Sequence, residues 1–211
     1  MCSICTHYIN TYLINCFLSL FYFLLVHVIP LEGDGSDYQN YDIGTDRDRS
    51  GMFSVRFSPC DGGRTMIGGC TDSKIVLCDR ETRQLSSIRT QNSFVDINAL
   101  SYISDQDPNL IVSGCHNGLI KLWDLRCSTG YRTAKASSVF LGHFDGITFI
   151  DPRNDGHYIL SNSKDQSIKI WDLRQPSPSN KVSNHPNIPL IDWDYRFAQV
   201  PRECKDMSYY Q

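Results

Sequence analysis

Residues Ser161–Arg174 read SNSKDQSIKIWDLR, and residues Ser113–Arg126 read SGCHNGLIKLWDLR. Both open on serine, pass through a short polar stretch, and then alternate apolar and polar residues. Both close on Trp-Asp-Leu-Arg. Alternation with a period of two over so few residues reads as a half-buried β-strand, and the polar stretch before it as a turn. A phrase written twice, 48 residues apart, makes internal repetition the first question.

A third, weaker copy stacks on these two. Met66–Asp79 (MIGGCTDSKIVLCD), Ile111–Asp124 (IVSGCHNGLIKLWD) and Ile159–Asp172 (ILSNSKDQSIKIWD) share one layout. Each has an apolar pair, small residues, a turn, an alternating run and a closing aspartate. The aspartates recur at 79, 124 and 172, spacings of 45 and 48. Such spacings lie close to the roughly 40–45 residues of a WD40 propeller blade. The stretches between supply more strands. Phe53–Ser58 (FSVRFS) alternates and runs into a Ser58-Pro59…Asp61-Gly62 turn. Asn98–Ile103 and Gly146–Ile150 hold the same place in the next two units, and Arg83–Arg89 reads as an outer strand. Helix signals are sparse, so an all-β chain of short strands is expected.

Phe140–Arg174 resembles a WD40 repeat, with Gly142-His143 early and Trp171-Asp172 late. The resemblance implies a β-propeller, here a partial one of about three blades. It also implies a buried hydrogen-bond chain of His143, Ser161, Asp165 and Trp171. The chemistry suits such a chain: an indole N–H only donates, a carboxylate only accepts, and hydroxyl and imidazole relay between them. The second repeat keeps Ser113 and Trp123, but Asn117 stands for the turn aspartate and residues 91–94 hold no Gly-His. The first keeps Asp72 but has Cys78 in place of tryptophan. Trp is expected to end the inner strand of its blade, and Asp to hold the turn that follows. Propellers close with about 4–8 blades, so a fragment or short form of a longer protein is expected.

Most WD repeats do not follow Trp-Asp with x-Arg. Arg126 and Arg174 do so in consecutive repeats, after Asp124 and Asp172. The pair resembles the WDxR box of substrate receptors of cullin-4 RING ubiquitin ligases. That family implies that Arg126 and Arg174, with Asp124 and Asp172, face the adaptor, damage-binding protein 1, and that the chain is a non-catalytic subunit presenting an unknown protein substrate. A planar guanidinium suits the role because it stays charged and binds carboxylates and carbonyls through two donors at once. The competing reading is a WD40 scaffold unrelated to ubiquitin, with arginines that only pair with their neighbouring aspartates. FLGHFDGITFID (140–151), SNSKDQSIKIWDLR and DWDYRFAQVPR (192–202) narrow the resemblance to one branch of the receptor family. Trp193-Asp194-Tyr195-Arg196 follows Trp171 by only 22 residues, too soon to end another blade, and reads as an inter-blade insertion. The first repeat has Glu81 where arginine would stand, and does not extend the box.

The expected organisation is an apolar head at 1–30, a polar linker at 31–50, a degenerate repeat at 51–90, repeats at 91–127 and 139–175, and the insertion with the tail at 176–211. The head contains no Asp, Glu, Lys or Arg, and Tyr12–Ile29 is an almost unbroken apolar run. It reads as a signal or membrane segment, as a non-native start, or as an apolar segment packed against something. Nine scattered cysteines make no disulfide framework. Reduced thiols and an intracellular home follow; with the receptor resemblance, nucleus and cytoplasm are the expected compartments, and membrane association through residues 12–29 is the alternative. The lone Cys2/Cys5 pair is a weak metal signal, and neither a metal nor another cofactor is expected. A net charge of −3 without a basic patch argues against nucleic acid. No nucleophile elbow, zinc-protease helix or phosphate loop is present in the sequence.

Overall fold

A computed structural model describes residues 6–9, 12–18, 24–30, 39–42, 51–71, 73–90, 95–128, 133–183 and 194–200, the first four stretches as backbone alone. The head forms β1 (Thr6–Ile9), β2 (Tyr12–Leu18), β3 (Leu24–Pro30) and β4 (Gln39–Asp42), an antiparallel sheet in sequential order. The apolar run is therefore laid out as strands. Among the described residues no helix is long and apolar enough to cross a membrane.

The body is three further sheets. The first contains β5 (Met52–Phe57), β6 (Thr65–Cys70), β7 (Lys74–Asp79) and β8 (Leu85–Thr90). The second contains β9 (Ile97–Tyr102), β10 (Leu110–Cys115) and β11 (Ile120–Asp124), with β13 (Ser138–Phe140) as its outer strand. The third contains β14 (Ile147–Pro152), β15 (Tyr158–Ser163) and β16 (Ile168–Asp172). One register repeats: Thr65 faces Asp79, Leu110 faces Asp124, and Tyr158 faces Asp172. The three closing aspartates therefore occupy equivalent places on one rim, where the turn between the first two strands meets the turn after the third.

The sheets stack as blades of a partial propeller through their inner strands β5, β9 and β14. The Leu100 N–H of β9 donates to the Ser54 hydroxyl of β5 at 3.3 Å. Trp123 and Trp171 lie on β11 and β16, third from the centre rather than on the inner strands expected from the sequence. Sheets that radiate from an axis diverge outward, and the large indole fits where the gap has widened. β10 is sandwiched. Its Ile111 packs toward the first blade with Ile67, Ile75 and Trp123. Its Val112 packs toward the third with Ile120, Ile147 and Ile159. A strand buried on both faces has no reason to alternate, which is why Leu110–Cys115 reads as an apolar and small-residue run. β16 buries one face only: Ile168 and Ile170 are 66% and 74% exposed.

A connecting device recurs. After β11 the two-residue strand β12 (Thr133–Ala134) pairs parallel to β8 of the preceding blade before the chain turns back into β13. After β16 the Ser177 N–H donates to Val139 O of β13 at 2.9 Å, and Ser177 Oγ accepts from Leu141 N–H at 2.8 Å. The chain then makes one helical turn, α1 (Ser179–Ser183), at the start of the segment read from sequence as an insertion. Cys70, Cys78 and Cys115 are buried free thiols, and burial pushes Cys70 up to about 12. They act as small hydrophobes.

Candidate functional site

In the third blade the sequence signature assembles as a buried chain. Trp171 Nε1–H donates to Ser161 Oγ at 2.7 Å. Ser161 Oγ is also 2.7 Å from His143 Nε2, and His143 Nδ1 is 2.7 Å from Asp165 Oδ2. The hydroxyl accepts from the indole, so its own proton goes to Nε2. The imidazole proton is thereby assigned to Nδ1 and donated to the carboxylate. Asp165 also accepts from the Ser167 hydroxyl at 2.6 Å and from the Ser167 N–H at 2.9 Å. Burial pushes the Asp165 carboxyl up, but hydrogen bonds from His143 and Ser167 outweigh it and hold the group below its ordinary value. Ser161 and His143 are wholly buried, so every polar atom of this relay needs its partner. Gly142 explains the residue before histidine. A Cβ there would lie 2.7 Å from the Trp171 ring, so glycine lets the indole seal the relay against the backbone.

The other blades carry less of this. In the second, Trp123 Nε1–H donates to Ser113 Oγ at 2.8 Å, and Asn117 caps its own turn by accepting from Leu119 N–H. In the first, Gly68 stands at the serine place and Cys78 at the tryptophan place; the tip of Met52 fills the space a Cβ on Gly68 would need. Asp72, residues 91–94, Trp193, the Cys2/Cys5 pair and the tail from residue 201 lie outside the described residues.

The rim is a different kind of site. Asp124 Oδ1 accepts the backbone N–H of Arg126 at 3.0 Å, and Asp172 does the same for Arg174 at 3.0 Å, so each aspartate holds its turn. The guanidinium then returns to the same carboxylate. Arg126 Nε and Nη2 donate to Asp124 at 2.9 and 2.9 Å, and those of Arg174 to Asp172 at 2.8 and 2.7 Å. Arg174 also stacks on Tyr158 and donates to its hydroxyl at 2.9 Å. The side chains of Arg126 and Arg174 remain 57% and 55% exposed. Hydrogen bonds from Arg174 hold Asp172 down at about 2, and Arg126 lowers Asp124 likewise. Each fork is a fixed anion clamping a fixed cation, and the Nη1 edge takes no part in the clamp. An arginine held this way loses little rotamer freedom on meeting a partner.

Arg196 repeats the local geometry, donating to Asp194 through Nε at 2.9 Å and Nη2 at 2.7 Å. It sits elsewhere. Gln166, in the turn between β15 and β16, donates to Tyr195 O at 2.6 Å and Ala198 O at 2.7 Å. That turn is at the opposite end of the blade from Asp172, so the Asp194–Arg196 fork lies on the other rim.

The repeat pattern of the WD domain, G-beta repeat family matches residues 83–124 and 134–172. The chain is a WD40-repeat protein. Each matched WD40 repeat starts on or just before the outer strand of one blade and ends on the third strand of the next, so every repeat stitches two sheets together. The chain is 36% identical over 176 residues to the LEC14B protein of Lithospermum erythrorhizon, covering 83% of this chain and 35% of that one. It is 37% identical over 157 residues to the DDB1- and CUL4-associated factor 11 homolog of Caenorhabditis elegans, covering 74% and 27%. The chain thus spans about a third of the length of the curated relatives it matches. A chain in the crystal structure of the mitotic checkpoint complex superposes with a TM-score of 0.61 at 19% identity, covering 79% of this chain and 45% of that one, a likeness of fold alone.

Proposed function

We propose that this chain forms the adaptor-binding part of a substrate receptor in a cullin-4 RING ubiquitin ligase. It docks on damage-binding protein 1 and presents a protein target for ubiquitination, itself non-catalytic, in nucleus and cytoplasm. The observation that carries the reading is the pair of Asp–Arg forks at equivalent places on adjacent blades, at 124/126 and 172/174. Similarity to relatives named DDB1- and CUL4-associated factor 11 homolog supports it. The tetrad has a structural role in this reading: it fixes the third blade, and with it the height of Arg174.

A second reading has an observation of its own. The forks are satisfied within the chain, as they would be in a WD40 scaffold whose arginines only brace their turns. Co-precipitation with purified damage-binding protein 1 separates the two. Capture by the wild-type chain and loss with Arg126→Ala/Arg174→Ala supports the receptor. Capture indifferent to both arginines supports the scaffold.

A further inference from the structure

The first blade lacks the WDxR box in sequence, yet its rim carries an aspartate–arginine clamp of the same kind, with one further carboxylate beside it. Asp79 Oδ1 accepts the N–H of Glu81 at 2.9 Å, the equivalent of the Asp124–Arg126 and Asp172–Arg174 turn bonds. Position 81 offers a carboxylate instead of a guanidinium. The guanidinium arrives from the turn between β5 and β6: Arg64 donates to Asp79 Oδ2 through Nε at 3.1 Å and Nη2 at 2.8 Å. The same edge of the fork is used as in Arg126 and Arg174, and the Arg64 side chain is 44% exposed. The strand register makes this possible, because Thr65 faces Asp79 and sets Arg64 beside it. Glu81 braces Arg64 from outside, 3.2 Å from Nη1. Asp79 is held at about 2, chiefly by Arg64, as Asp172 is by Arg174.

Arg64 is also one wall of a polar depression of about 380 Å³, lined by Asp61, Gly62, Arg64, Arg80, Glu81 and Arg83. Arg80 is fixed there by a bond to Gly63 O at 3.0 Å and by stacking on Phe57. Three guanidinium groups stand here with the carboxylates of Asp61, Glu81 and, clamped to Arg64, Asp79, a concentration of donors that suits a partner's backbone carbonyl or carboxylate.

We infer that Arg64 is the first blade's docking arginine, supplied from the adjacent turn, so that three consecutive blades present arginine to one partner surface. The inference rests on the adaptor-docking reading above. The partner surface it fits is rich in carboxylates or carbonyls, contacted in a row rather than at two points.

The test is the affinity of the full chain for purified damage-binding protein 1, with folding checked by circular dichroism. Arg64→Ala, and Arg64→Gln which keeps the side-chain stem, are each expected to weaken binding about fivefold or more, as one interface arginine does. Arg64→Ala/Glu81→Arg moves the guanidinium to the WDxR position of the same blade and is expected to restore binding. A purely structural loss would not respond to that exchange. If Arg126→Ala/Arg174→Ala weakens binding while both Arg64 variants bind like wild type, the third contact is overturned and the receptor reading stands. If Arg64→Ala weakens binding and the Glu81→Arg exchange does not restore it, the equivalence of the two arginine sources is overturned. If wild type does not bind, or binds indifferently to all three arginines, the receptor reading fails and this inference fails with it.

Discussion

The first and third blades solve the same folding problem with different chemistry. The third closes its sheet with a fully paired polar chain from Trp171 to Asp165. Among its described residues the first uses no such chain. It has Gly68, a flexible Met52 and a small Cys78, leaving a gap of about 10 Å³ among Met52, Val55, Met66, Ile67, Gly68, Val76 and Cys78. The rims of these two blades are nevertheless alike, each with an aspartate that holds its turn and clamps an arginine. Interior and rim thus vary independently. Blade closure needs volume filled and polar groups satisfied, which several residue sets can do. The rim needs a guanidinium at a place, whatever the strand that delivers it.

The sharpest way to break the contrast is to remove a relay member. Asp165→Ala leaves the buried His143 Nδ1–H with only the Ser167 hydroxyl, 3.2 Å away, to accept it, and is expected to cost about 2–3 kcal/mol. In the first blade, Cys78→Ala removes one buried sulfur and is expected to cost about 1 kcal/mol. Urea unfolding of the two variants measures the difference; equal costs would mean that the relay adds nothing over packing.

The glycines give a second, smaller contrast. Gly142→Ala drives a methyl against the stiff Trp171 ring and is expected to cost about 1–3 kcal/mol. Gly68→Ala meets only the end of Met52, which can turn aside, and should cost less than about 1 kcal/mol. Thermal melts of both variants rank them, and the reverse order would overturn the account of why glycine precedes histidine in the signature.

Acid provides a third. The Asp165 pKa is lowered by folding, so its stabilisation is present above the unfolded value and lost as pH falls through the folded one. Wild type should lose stability below roughly pH 4, while Asp165→Asn, less stable to begin with, should show a shallower acid slope. Parallel slopes would show that the carboxylate titrates alike in both states. The smallest expected effect is at the far rim, where Arg196→Ala should leave adaptor binding unchanged, although its fork matches that of Arg174 bond for bond.

How much of this could be read from the chain follows from how local each feature is. The repeat phrases, the strands and the tetrad positions were legible because each blade writes its residues in one order at one spacing. His143, Ser161, Asp165 and Trp171 come together in the structure, as the motif implied. The strand that bears tryptophan was misplaced, because alternation reveals a strand but not its distance from the axis. Arg64 was missed because its partner lies 15 residues away across a hairpin, and only the register of β6 against β7 joins them. Arg196 shows the opposite failure. Its local motif was visible, but the rim it occupies depends on Gln166, a contact 29 residues distant.

The most direct measurement is a binding isotherm of the chain with purified damage-binding protein 1, for wild type and for Arg126→Ala/Arg174→Ala shown to keep its fold by circular dichroism. The account predicts saturable binding by wild type and a loss of roughly 30-fold or more in the double variant, the scale expected of two interface arginines. Equal affinities for the two proteins would contradict it, and would leave the paired Trp-Asp-Leu-Arg as a brace for two turns.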